Sequence, residues 1–306
     1  MRSSPVPICS WSAARSATQP TPSRPPKASC AKCAGPSRRP VPRPNRPGPG
    51  RGAARPKKPD GPSGPPGAPR LILGQNPVRE AIAVHGSQLG FVLIEHDPNP
   101  RLAALGRFAA DHGVRVESAP RGELDRIGGS GRHQGVLAWA PELELIAPEA
   151  LLDDPELLAL ALDGVVDPQN FGAVIRSAVG IARAPVVFGE NASAPLTPAT
   201  FRASAGAVEH ARLCRVRSLP AFLVDARARG ATIVGLVPDG DLALENVPMS
   251  GPTVLVIGSE EAGLQRATRK ACTHFARLTS SGAVQSLNAS VAAGVALYLA
   301  AMARRS

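Results

Sequence analysis

From Leu71 onward the chain alternates short apolar runs with stretches whose apolar residues recur every three or four positions, whereas residues 1–70 show neither pattern. Asn76-Pro77 reads as a helix start, with Asn as cap and Pro at the first helical position. The run 91–94 (Phe-Val-Leu-Ile) predicts a buried strand, closed by the breakers Asp97-Pro98-Asn99-Pro100. Leu102, Leu105 and Phe108 mark a second helix that Gly113 ends. Short strand, short helix and strand follow over 114–117, 123–127 and 136–139. Residues 71–140 are therefore expected to form a small α/β module, and 141–154 a polar, acidic linker with room for one helical turn.

Residues 155–306 repeat the alternation on a larger scale. Strands are predicted over 158–162, 186–189, 231–236, 254–257 and 275–278, and helices over 172–180, 198–205, 219–229, 264–271 and 287–304. Such alternation predicts a mostly parallel sheet covered by helices, an α/β fold. Ligands of these sheets gather where carboxyl ends of strands run into helices.

Charge changes the picture only for the N-terminal tail. Residues 1–70 hold 14 Lys/Arg against one acid, Asp60, while 71–306 hold 21 against 23. The formal charge of +11 thus belongs to the tail rather than to the folded body. Rich in Pro, Arg, Ser and Gly, the tail cannot bury enough apolar surface to fold and is expected to be disordered. Three readings fit it: a solvated extension (including a start codon set too far upstream), an arm that binds RNA phosphates by charge, or an organelle transit peptide. It has no apolar core of a secretion signal. The five cysteines, Cys9, Cys30, Cys33, Cys214 and Cys272, are odd in number and irregularly spaced. They predict a reducing, cytoplasmic setting rather than a disulfide framework. Cys30 and Cys33 form a lone C-x-x-C with no second pair, so no metal site is expected, and no apolar run reaches membrane-spanning length.

Three loops of the second unit sit at predicted strand-to-helix junctions. Asn170 to Arg176 spans a helix start, 254–264 runs from a buried strand into a glycine loop, and Ser286-Leu287-Asn288 precedes the last helix, capping it through Ser286 or Asn288. The glycine loop lacks the spacing of a phosphate-binding turn, and Glu260 and Glu261 oppose an anion, so a neutral or cationic ligand is expected there. In the first module, Arg132, His133 and Gln134 sit in a glycine-rich loop, either as a plain connector or as groups for RNA phosphates and bases.

The segments N-F-G-A-V-I-R-S-A, V-L-V-I-G-S-E-E-A-G-L and S-L-N-A-S-V-A resemble, in order and spacing, the three motifs of the SpoU-type RNA 2′-O-ribose methyltransferases of the SPOUT superfamily. G-Q-N-P-V-R-E-A and H-Q-G resemble the substrate-binding domain of its ribosomal-RNA branch, which includes the 23S rRNA guanosine 2′-O-methyltransferase. The resemblance implies a C-terminal catalytic domain (155–306) with a deep trefoil knot. It also implies a ribosomal-protein-L30e-like RNA substrate-binding domain (71–140), a homodimer and S-adenosyl-L-methionine as cofactor. It places donor contacts at Gly258, Leu278 and Leu287, with Ile257, Ser259 and Asn288 beside them. Catalytic positions fall on Arg176, Asn170, Glu260, Ser286 and Asn288, and RNA contacts on Arg132, His133 and Gln134. Although the family's arginine is often described as a general base, guanidinium keeps its proton in proteins. Arg176 is therefore read as binding the target phosphate and stabilising the developing alkoxide, the proton leaving to phosphate or water.

Two departures stand out. Glu261 occupies the family's inner glycine of G-S-E-G-x-G-L, a strained choice if that position needs positive φ, and Thr279-Ser280 replace Pro-Met. Altered donor affinity is the expected consequence. A transfer-RNA 2′-O-methyltransferase, or a catalytically weak relative that only binds structured RNA, remains the alternative reading.

Overall fold

The computed structural model describes residues 68–129, 133–190, 193, 196–279 and 287–305. Most of the tail, together with Arg132, Ser280 and Ser286, lies outside the described residues. Ala68 to Arg70, reckoned with the tail from sequence, instead belong to the first module, where Ala68 and Arg70 are buried.

That module is a four-stranded sheet of β1 (Arg70–Leu73), β2 (Val92–Glu95), β3 (Val116–Ala119) and β4 (Val136–Ala140), in the order β1-β4-β2-β3. β4 runs antiparallel to β1 and β2, and β2 runs parallel to β3. Side chains alternate between two cores. Ile72, Val92, Ile94, Val136 and Ala138 pack with α1 (Gln75–His85) and α2 (Pro100–Asp111), while Leu73, Leu93, Leu137 and Trp139 pack with α3 (Arg121–Gly128). Both faces of β4 are therefore covered, which explains its unbroken apolar run. Asn99 caps α2 through Leu102 N at 3.0 Å, with Pro100 at the first position. α1 begins earlier in the chain than Asn76-Pro77 suggested: Gly74 (φ 97), not Asn76, is its N-cap, and Asn76 lies inside the first turn.

The second sheet has seven parallel strands in the order β7-β6-β5-β10-β8-β11-β9. They are β5 (Leu158–Asp163), β6 (Val186–Gly189), β7 (Leu213–Val216), β8 (Thr232–Leu236), β9 (Leu242–Ala243), β10 (Thr253–Gly258) and β11 (His274–Arg277). Leu255 and Ile257 face α5 (Pro168–Ala182), α6 (Pro198–Ala203) and α9 (Ala289–Ala303), while Val254 and Val256 face α4 (Pro148–Leu152), α7 (Leu219–Ala228) and α8 (Arg266–Ala271). The α/β class and the parallel sheet agree with the sequence reading. β7 was not anticipated: as an edge strand carrying exposed Arg215, it lacks a clean apolar run. Among the described residues no helix is long and apolar enough to cross a membrane, and no group of three or more His, Cys, Asp or Glu is placed to hold a metal ion.

Candidate active site

β5, β10 and β8 lie side by side and run in the same direction, so their carboxyl ends open onto one edge. At the end of β10 the chain turns back on itself. Ser259 N donates to Gly263 O at 3.2 Å, Gly263 N to Ser259 O at 3.0 Å, and Ala262 N to Ser259 Oγ at 3.1 Å. The turn is tight because Gly258 has no side chain: a Cβ there would lie 2.3 Å from the Gly263 carbonyl carbon. Asp163, buried at the end of β5, accepts from Gln265 N at 2.7 Å and ties the far side of the turn to the neighbouring strand. Gly263 carries the positive φ (63°), whereas Glu261 is not among the residues with positive φ. The strain expected of Glu261 is therefore absent, because the left-handed residue of this loop is the later glycine.

The turn holds Glu260 against the starts of α5 and α9. Asp167 caps α5 by accepting from Gln169 N and Asn170 N at 3.2 Å each. Asn288 caps α9 by accepting from Ser290 N at 2.9 Å and Val291 N at 3.4 Å. Between these caps, Glu260 Oε1 accepts from Asn170 Nδ2 (3.1 Å), Ala289 N (3.3 Å) and Asn288 Nδ2, and Asn288 Nδ2 also donates to Asn170 Oδ1 at 2.9 Å. Gly294 of α9 rests on Ser177 of α5, so the two helices run side by side with their N-termini together. A carboxylate at the positive ends of two helices is favoured electrostatically as well as by its hydrogen bonds.

Beside this cluster lies a cleft of about 990 Å³. Its walls include Ile257, Gly258, Ser259, Leu278, Leu287 and Asn288, all six of the residues expected to hold a cofactor. Leu236, Val237, Leu264, Ala276 and Ala292 add apolar surface, while Asp239, Glu260 and Glu261 place carboxylates around it. Among the described residues of the lining the one cation, Arg269, stacks over Phe275 at 4.7 Å. Apolar walls with an excess of negative charge suit a largely apolar ligand that carries a positive centre. The size falls within the ordinary range for a cofactor cleft.

Other expected site residues are not gathered here. Arg176 is exposed on α5, six residues beyond Asn170, and is not part of the cleft lining. Six residues turn a helix by about 240°, so Arg176 faces away from the Asn170 cluster of its own chain. Ser286 and Arg132 lie outside the described residues. His133 requires a correction as a direct RNA contact. Its side chain is fully buried, Nδ1 accepts from Gly135 N at 3.0 Å, and Nε2 meets Asp125 Oδ1 at 2.9 Å, so the ring organises the loop from beneath. Gln134 (φ 53) is exposed but engaged, since its Oε1 accepts from Gln75 N at 3.1 Å at the start of α1. Sequence reasoning missed Val237, Pro238 and Asp239. Their signal was the carboxyl end of β8, the same strand-end rule that located the three loops.

Family models match both parts of the chain. Residues 157–298 match the SpoU rRNA Methylase family, and residues 71–145 match the RNA 2′-O ribose methyltransferase substrate-binding domain. A protein of Mycolicibacterium vanbaalenii described as an uncharacterized tRNA/rRNA methyltransferase is 37% identical over 243 residues, 77% of each chain, and one of Mycolicibacterium smegmatis is 38% identical over 243 residues. Among solved structures, the SpoU methyltransferase AviRb from Streptomyces viridochromogenes, in complex with the cofactor AdoMet, is 26% identical with a TM-score of 0.63, covering 77% of this chain and 90% of that one.

Proposed function

This chain belongs to the SpoU family of RNA methyltransferases, which use S-adenosylmethionine, and from that premise we propose that it methylates a ribose 2′-hydroxyl of RNA, namely a guanosine of 23S ribosomal RNA. The observation that carries this reading is the convergence of Asn170, Glu260 and Asn288, from three loops distant in sequence, at the mouth of a cleft whose lining suits the donor. The substrate-binding module ahead of the catalytic unit supports a large, structured RNA.

When bound, S-adenosylmethionine supplies a methyl group activated by a positive sulfur. The chain's own contribution is position and charge. Apolar residues of the cleft exclude water around the donor, and the carboxylates favour its cationic form over the neutral product. Glu260, with Asn170 and Asn288, fixes the rim against which the ribose lies. Arg176 holds the phosphate next to the target ribose and stabilises the developing alkoxide, and the proton passes to phosphate or water.

Because Arg176 faces away from its own cluster, we assign it to the cleft of a second copy in a homodimer. Leu287, Val291, Val295, Tyr298 and Met302 support that assembly, forming an exposed apolar face along α9 and its approach, with Val291 50% and Tyr298 55% exposed. A deep trefoil knot is the corresponding topology: β10 lies between β5 and β8, and the chain beyond β11 returns to pack α9 on α5 and β5. The first module is assigned the L30e-like fold, and the free thiols of Cys214 and Cys272 fit a cytoplasmic setting. Mapping ribose methylation across total RNA, with and without the gene, tests the proposal. Loss of one mark in 23S rRNA supports it, whereas a lost mark in transfer RNA, or none, overturns the target.

A further inference from the structure

The two sheets have separate cores. Among the described residues no apolar cluster includes residues from both: two are confined to residues 68–140 and two to residues 143–300. Modules joined in this way ordinarily move relative to one another, because an interface lacking a shared apolar core holds them weakly. Here a charge cluster occupies the junction.

Glu209, in a short turn of 3-10 helix (Ala207–His210), has a fully buried side chain. Both its oxygens are taken by the Arg70 guanidinium of β1, at 2.7 Å each, and His85 Nε2 of α1 lies 2.8 Å from Oε2. The third nitrogen of Arg70 is engaged as well: its Nε donates to Pro141 O at 2.8 Å, and the guanidinium lies over Phe201 of α6 at 5.1 Å. Alongside, His210 Nε2 meets Glu80 Oε2 of α1 at 2.9 Å. Gly206 (φ 89) lets the backbones approach so closely that a Cβ there would come within 2.8 Å of the Glu80 side chain and 2.9 Å of Pro77 Cα.

A buried carboxylate is tolerated only where its partners are in place, so such a cluster accepts one docking geometry and penalises all others. The fork of Arg70 sharpens this further, because a bidentate pair fixes angle as well as distance. We propose that Arg70, His85 and Glu209 form an ionic clamp that holds the RNA-binding module in a single orientation over the catalytic unit. They are positioning residues for methyl transfer, and none of them lines the donor cleft. This inference rests on the reading of the first module as the RNA-binding part.

The test is Glu209→Gln in the full-length protein, with Cys9, Cys30 and Cys33 replaced by Ser. Fluorophores are placed at Val116→Cys and Val224→Cys, both exposed and on different modules, and the labelled chain is diluted into unlabelled protein. Wild type gives one narrow transfer-efficiency peak, and the variant a broad one. If the freed module holds the competent orientation about a tenth of the time, the KM for RNA rises about tenfold, while kcat and donor affinity stay within about twofold. Should Glu209→Gln fail to fold, Arg70→Lys keeps the charge but loses the fork and the stacking, and it broadens the peak in the same direction. Narrow peaks in every folded variant overturn the clamp, as does a fall in kcat and donor affinity together without a change in KM. If the wild type binds the donor but methylates no RNA, the functional reading fails while the fluorescence result still decides the clamp.

Discussion

Gly258 offers the sharpest test of how the site is built. A Cβ added there would lie 2.3 Å from the Gly263 carbonyl carbon and 2.6 Å from both the Gly263 oxygen and the Leu264 nitrogen. All three are backbone atoms, so no side-chain rotation relieves the contact, and the paired bonds between Ser259 and Gly263 must open. Overpacking costs about 1–3 kcal/mol, and each lost backbone hydrogen bond about 0.5–1.5 kcal/mol. Gly258→Ala should therefore destabilise the protein by about 2–6 kcal/mol, lowering Tm by roughly 4–24 °C for a body of this size. The displaced turn carries Ser259, Glu260 and Glu261 of the cleft, so affinity for S-adenosylmethionine should fall about 10- to 100-fold, each tenfold corresponding to about 1.4 kcal/mol. Gly263→Ala is the internal control. There a Cβ meets nothing within 4 Å, but φ is 63°, and the cost is only the conformational penalty of about 1 kcal/mol. Gly263→Asn should cost less again. Thermal unfolding and titration calorimetry read both quantities. A Gly258→Ala protein with unchanged Tm and donor affinity, or a Gly263→Ala protein damaged more severely, would refute the packing argument.

Arg176→Ala should keep its fold and donor affinity but lose about 10²–10³ in kcat, the usual cost of removing one transition-state donor; wild-type turnover removes Arg176 from the mechanism. Mixing Arg176→Ala with Gly258→Ala protein should restore activity if the arginine serves the partner's cleft, and mixtures as inactive as their components would place it in cis. Val295→Asp, on the exposed face of α9, should yield monomers in sedimentation experiments, and an unchanged dimer would move the interface elsewhere. Burial pushes the Glu209 carboxyl up, but hydrogen bonds and charge from Arg70 and His85 outweigh it, so its folded pKa lies below the ordinary 4.5. Its stabilisation is complete above about pH 4.5 and is lost as pH falls through the folded value, so wild type should lose its Tm advantage over Glu209→Gln on acidification. Burial pushes the thiols of Cys214 and Cys272 up to about 11, so both should resist alkylation at pH 8.

Much of the second unit was legible because a strand buried on both faces leaves an unbroken apolar run, as in β10, and because loops at strand ends carry recognisable caps. β7 and β9 were not legible: one is an edge strand interrupted by Arg215, and the other is two residues long. Strand order was also out of reach, since nothing local tells β10 to insert between β5 and β8. In the H-Q-G loop, polarity suggested a surface contact, whereas the ring of His133 is fully buried with both nitrogens engaged. Sequence cannot distinguish a histidine that meets RNA from one that fastens the loop below it. Glu261 raised a related question, whether its position needs a left-handed residue, which the motif alone left open; Gly263 supplies the positive φ of this turn instead.

Asn288 shows why the modest and the functional readings of these loops do not compete. Its Oδ1 caps α9 through Ser290 and Val291, while its Nδ2 reaches Glu260 and Asn170. The same amide starts the helix and braces the site, one end for each task. Asp167 does half of this at α5, capping the helix and leaving Asn170 free to turn inward. The carboxylate between them is therefore held by groups whose positions are fixed by the first turns of two packed helices rather than by flexible loop side chains. Placing the rim of the cleft on helix starts gives it the rigidity of the core beneath, and the proposed transfer to a ribose hydroxyl demands that rigidity.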